Sequence, residues 1–252
     1  MRRIMHLGLR CAVLLAMAAL CVPVAYGVSN EADVATGERL AALVRASRSV
    51  ISSHQGLIND ESIGDKNLTG ARVVEESLAL YSKNNEHLLP DERFTPAEKQ
   101  LFDAQIAAIR EIVDENQVVI NAKGVGFKGF IPATFARLVN ERLEKKVGER
   151  AKIKVTAPED LVRNRKALPD DWERDVIESK FQSADWPKGK PFVEESEMDG
   201  RQAFRMLIPE YYSPSCLTCH GQPKGEIDVS GYPKEGAAEG DLGGAISIML
   251  FR

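Results

Sequence analysis

The chain has 252 residues, 44% of them hydrophobic, and a formal net charge of −4. That is enough apolar material for one sizeable core or two small ones. Lys and Arg are scattered among Asp and Glu instead of forming a stripe, which argues against a binder of nucleic acid or anionic lipid recognised by charge.

The N-terminal stretch reads as an address. Arg2, Arg3 and Arg10 make a positive segment, Cys11 to Val24 is apolar, and Ala25-Tyr26-Gly27 offers small residues to a signal peptidase. We therefore expect residues 1–27 to be a signal peptide cleaved near Val28, and the mature protein to be periplasmic. The apolar run is shorter than the roughly 20 residues of a spanning helix, which places an uncleaved anchor second. Lipoprotein processing at Cys21 ranks lower, because Leu20 stands where a small residue is wanted. Cleavage removes Cys11 and Cys21 and leaves Cys216 and Cys219 as the thiols of the mature chain.

Residues 28–148 read as a helical region. From Ala32 to Ile58, Leu40, Leu43, Val44, Val50, Ile51, Leu57 and Ile58 recur at three- and four-residue steps, and His54 falls on the same apolar side. Asn59 to Thr69 is a polar connector. A second helix is predicted from about Gly70 to Glu86, ended by His87-Leu88-Leu89-Pro90. Thr95-Pro96-Ala97-Glu98 combines a threonine cap, a first-turn proline and a glutamate three residues after the cap, so a third helix starts there and runs to about Ile120. Gly124, Gly126 and Gly129 lack the Gly-Lys-Ser/Thr ending of a phosphate loop and read as a turn. Pro132 opens a fourth helix, which Gly148 stops.

From residue 149 to 252 the period changes. Ile153 to Thr156 alternates like a half-buried strand, and Trp172 to Phe181 marks one short helix after Pro169. Pro191 to Glu197 and Arg201 to Ile208 flank Asp199-Gly200 as a hairpin, and Ala245 to Phe251 is a closing apolar strand. The fold class is thus α+β, with helices first and a small antiparallel sheet second.

Between the last two strands stands Cys216-Leu217-Thr218-Cys219-His220, the pattern that fastens a c-type haem. Two thiols at this spacing can each form a thioether to one vinyl group, and the histidine that follows is carried under the iron as proximal ligand. One imidazole nitrogen binds iron, and the other needs a carbonyl or carboxylate partner that the sequence does not reveal. A structural zinc would want a second cysteine pair, and a thioredoxin-like pair would want to open a helix, which Gly221-Gln222-Pro223 opposes. A plain disulfide remains the competing reading. The propionates of one covalent haem c would favour guanidinium partners, for which Arg163, Arg165 and Arg205 lie on nearby segments. His54 is the candidate sixth ligand, since a lone imidazole on an apolar face needs iron or a hydrogen bond to offset its desolvation.

Phe204-Arg205-Met206, Pro209-Glu210-Tyr211-Tyr212, the attachment motif through Gly221, and Gly240-Asp241-Leu242-Gly243-Gly244-Ala245-Ile246-Ser247 resemble the signature of a bacterial family of c-type haem proteins of unassigned function. Gln55-Gly56-Leu57-Ile58-Asn59-Asp60 and Phe130-Ile131-Pro132 share the likeness. The resemblance implies a PAS-like sheet cradling the haem with N-terminal helices packed over it, a role in redox or ligand sensing, and Cys216, Cys219 and His220 as the attachment residues. It implies no distal ligand. A class I cytochrome c fits less well, since its motif lies near the start. A four-helix c-prime type fits less well too, since its motif sits on a final helix.

The expected function is a periplasmic monohaem protein that senses redox state or a ligand, with a simple electron-transfer cytochrome as the alternative. No acid or base constellation argues for an enzyme. No kinase, cyclase or membrane output lies within these residues, so a sensor would need a separate redox or signalling partner.

Overall fold

The computed structural model describes residues 26–85, 94–198 and 200–252. Residues 1–25, which carry most of the expected signal peptide, lie outside the described residues, as do His87 and Pro90 after the second helix and Asp199 of the hairpin turn.

Helix α1 spans Tyr26–Ser53, and α2, Gln55–Asn59, follows it. The single helix expected over 32–58 is therefore broken at His54, which has φ −92° and ψ 3°. Side chains compete with the backbone ladder there: Ser53 Oγ donates to Val50 O, and Gln55 Nε2 donates to Phe130 O in the facing loop. Helix α3, Gly70–Asn84, starts where the sequence predicts, with Thr69 Oγ1 accepting from the Arg72 N–H. Helix α4, Pro96–Glu115, opens on the predicted capping box. It ends five residues early, where Asn116 turns its amide back onto Ile112 O at 2.7 Å, and α5, Gln117–Ile120, continues beyond it. Helix α6 covers Pro132–Val147 and stops at Gly148.

Four antiparallel strands complete the fold: β1 Ala151–Thr156, β2 Phe192–Met198, β3 Arg201–Tyr211 and β4 Leu242–Phe251, in the order β1-β4-β3-β2. β2 and β3 form the predicted hairpin, with Met198 facing Arg201 across the turn. The last two strands are longer than the alternation suggested, because β3 and β4 keep pairing past a bulge at Glu210/Tyr211 to reach Leu242.

The sheet has two unlike faces because side chains alternate. Phe204, Met206, Ile208, Ile246 and Ile248 join Leu40, Leu43, Ile109, Phe135 and Leu143 of the helices in one buried cluster. This cluster runs across the helical region and the sheet, whatever the change of pattern at Gly148. Helix α1 packs tightly on this face at Gly37, where an added Cβ would lie 2.7 Å from Met206 Sδ. The opposite face carries Leu207 and Ala245 under α7, Asp171–Val176, and a wider π-helical turn, Ile177–Phe181. The predicted single helix is thus α-helical only in its first half, and the widened turn keeps Ile177 and Phe181 on the sheet.

Glu98 ties α4 to α1. Its carboxylate accepts from the Thr95 N–H (2.7 Å), from Thr36 Oγ1 (2.8 Å) and from Arg39 (2.9 Å). Burial raises its carboxyl, but these partners outweigh burial and hold it below the ordinary value of 4.5. Glu98→Ala should cost about 2 kcal/mol at neutral pH by losing hydrogen bonds to a charged, mostly buried acceptor. A group depressed in the folded state stabilises above its unfolded value and loses that contribution as pH falls through its folded one. Denaturant titrations of both proteins should therefore show the full gap at pH 7 and a shrinking gap below about pH 4.5. A gap that does not change with pH would refute the assignment.

Candidate cofactor-attachment site

Three segments meet at one end of the sheet, because Thr156 at the end of β1 and Pro209 near the end of β3 both face Ala245 at the start of β4. β3 runs directly into the cysteine motif, the chain after β1 delivers Arg163, and the loop before β4 delivers Asp228 and Glu235.

The motif is a tight turn, Pro214–Cys216, followed by the one-turn helix α8, Leu217–His220. Cys216 and Cys219 are free and half-buried. Burial, helped by the negative charge of Asp228, pushes the Cys219 thiol up. His220 Nδ1 lies 2.8 Å from Glu235 Oε2. Burial raises the Glu235 carboxyl, but hydrogen bonds from Arg163 and His220 hold it below its ordinary value, so it is an ionised acceptor. A carboxylate has no proton to donate, so Nδ1 carries the hydrogen, and in the neutral ring that leaves the lone pair on Nε2. The ring stacks on Tyr212, with centroids 5.0 Å apart and planes 27° from parallel. Tyr212 is held in turn by backbone bonds with Asp241 and Gly240, each 2.9 Å, and by Gly243, where an added Cβ would sit 2.6 Å from the phenol ring. Burial, with the nearby Glu235 charge, pushes the Tyr212 hydroxyl up to about 12.

Arg163 locks this arrangement. Its Nε and Nη2 form a fork onto Glu235 (2.8 and 3.0 Å), its Nη1 reaches Asp228 Oδ2 (2.6 Å), and its Nη2 also reaches Cys219 O (3.0 Å). The Asp228 side chain is fully buried and accepts further from the Ser230 N–H (2.7 Å), Ser230 Oγ (2.6 Å) and the Tyr232 N–H (3.2 Å).

Among the described residues no hydrogen bond joins the other expected site residues, Arg165, Arg205 and His54, to the motif. Arg205 projects from the sheet face under α7, donates to Asp170 Oδ2 at 2.6 Å and stacks 4.1 Å from the Trp172 ring centre. Arg163 and Arg205, read as propionate partners, thus both have protein carboxylates, because a buried guanidinium must be neutralised inside the fold. Arg165 is exposed, with no side-chain hydrogen bond among the described residues; its carbonyl accepts from the Leu168 N–H at 3.2 Å. His54, read as a lone imidazole, has its Nε2 2.7 Å from Glu76 Oε2, and Arg72 steadies the same carboxylate from 2.8 Å. The desolvation that motivated iron ligation is offset there by a hydrogen bond from the break after α1 to Glu76 on α3.

Sequence reasoning missed Glu235, Asp228 and Tyr212. Five carboxylates lie between Gly221 and Gly244, and no periodicity in that irregular loop singles out the two that face inward.

The donor set fits a covalently held haem. Two free thiols flank one helical turn beside a histidine whose Nε2 has no protein partner among the described residues. Axial ligation asks the protein for only one or two donors, since the macrocycle supplies the rest. Accordingly, a site of this kind needs no cluster of ligands, and among the described residues no group of three or more His, Cys, Asp or Glu is placed to hold a bare metal ion. Ile227 and Tyr232, 62% and 46% exposed, stand on the loop clasped to the motif and offer apolar surface for a ring face.

A family model described as Tll0287-like matches residues 41–250. No curated protein and no solved structure matches the chain.

Proposed function

This chain belongs to the Tll0287-like family, and from that premise we propose that it is a c-type haem protein of the periplasm that senses redox state or a ligand and is not an enzyme. Cys216 and Cys219 hold one haem c by thioethers, and His220 supplies the proximal nitrogen. The observation that carries this reading is the Nδ1-to-Glu235 bond of 2.8 Å, which leaves Nε2 of His220 as a ligand beside two free thiols. When bound, the haem supplies an iron centre that changes valence or exchanges a ligand. The chain's own part is to orient the imidazole through Glu235 and Tyr212, and to hold the loop over the motif through Arg163. The periplasmic location rests on residues 1–27. Among the described residues no helix is long and apolar enough to cross a membrane.

An absorption spectrum of protein matured in a periplasm, oxidised and reduced, with and without carbon monoxide, tests the reading. The expected result is a covalent haem spectrum that His220→Ala alters in both oxidation states. Colourless protein, or a variant spectrum identical to wild type, would overturn it. Carbon monoxide binding favours ligand sensing, whereas a low-spin spectrum indifferent to carbon monoxide favours the simple electron carrier.

A further inference from the structure

We propose that Glu235, clamped by Arg163, is the positioning residue that sets the tautomer and ligand strength of His220, and through it the reduction potential of the centre. The inference rests on the haem reading for its redox consequence, but not for its structural core.

An imidazole delivered by a one-turn helix has two free choices, which nitrogen carries the hydrogen and how the ring is turned. Glu235 removes the first by accepting from Nδ1, and Tyr212 restrains the second by stacking. Glu235 cannot swing away, because both of its oxygens are engaged: Oε1 accepts from Arg163 Nε at 2.8 Å, and Oε2 accepts from Nη2 at 3.0 Å and from His220. Arg163 is itself pinned to Cys219 O at 3.0 Å, one residue before the ligand, so clamp and motif move as one body. The Ala237 N–H donating to His220 O at 2.9 Å closes the loop from the other side.

A carboxylate accepting from Nδ1–H makes the ring a stronger electron donor at Nε2, which favours the ferric state and lowers the potential. Sharing the carboxylate with a guanidinium moderates that pull, since part of its charge is already compensated. The device thus sets ligand strength by how one carboxylate is divided between two donors.

Two measurements on the full chain test this. In the haem-loaded protein, Glu235→Gln keeps the shape and removes the charge, so the midpoint potential should shift upward while the haem stays attached. Glu235→Ala should shift it further. In the full chain prepared without cofactor, with folding checked by circular dichroism, nitrogen NMR should place the His220 hydrogen on Nδ1 in wild type. In Glu235→Ala it should move predominantly to Nε2. An unmoved potential in Glu235→Gln, or a wild-type hydrogen on Nε2, overturns the proposal. If Glu235→Ala fails to fold, Glu235→Gln decides alone. A protein that never acquires haem sinks the functional reading, while the NMR result still judges the role of Glu235 in setting the tautomer.

Discussion

Replacing both Cys216 and Cys219 with alanine should abolish covalent haem. In protein matured in a periplasm, acid acetone should extract no haem from wild type and all of it from the double variant. Intact mass should show the wild-type chain heavier by one haem. Each single variant should retain part of the attachment, since one thioether remains available. The geometry explains why both thiols serve one ring: three residues apart, Cys216 stands just before α8 and Cys219 on it, with His220 adjacent. The competing disulfide between the same two thiols would instead leave the protein colourless, with the mass of the bare chain. Extraction of haem from wild type, or a mass equal to that of the bare chain, would overturn the assignment.

Arg163→Leu should destabilise the protein by about 3 kcal/mol, because removing one partner of a buried ion pair leaves the other charged and uncompensated. Two carboxylates lose their cation at once: Asp228, whose side chain is fully buried, and Glu235, 17% exposed. The tie to Cys219 O is lost as well, so the damage should concentrate in the loop from Gly221 to Asp241. Hydrogen exchange should show that loop opening in the variant while α4 and α6 keep their protection.

The pH dependence has a definite sign. Burial pushes the Asp228 carboxyl up, but hydrogen bonds from Ser230 and Arg163 outweigh burial and hold it far below its ordinary 3.8. A depressed carboxyl contributes stability that is complete above the unfolded value and disappears as pH falls through the folded one. Denaturant midpoints of wild type and Arg163→Leu should therefore differ fully at pH 7 and converge below about pH 3.8. Equal stability at neutral pH would show that Arg163 is only a surface cation.

The sequence by itself determined what acts within a turn or two of chain. The capping box of Thr95 and Glu98, the start at Pro132, the stop at Gly148 and the hairpin of β2 and β3 were legible because caps, prolines and alternation act over three or four residues. The attachment motif was legible for the same reason, since its chemistry is contained in five consecutive residues. Only the tertiary structure decided which partners those residues meet. Glu235 reaches His220 from 15 residues away and Arg163 from 72, while His54 finds Glu76 on another helix 22 residues on. Arg205 was assigned to the cofactor on sequence proximity, yet the sheet's alternation turns it beneath Trp172 to Asp170. Such pairings carry no local signature. Loop closure and the packing of one face against another select them, and many carboxylates in an irregular loop would satisfy the same local rules until the strands before and after it are brought to one end of the sheet.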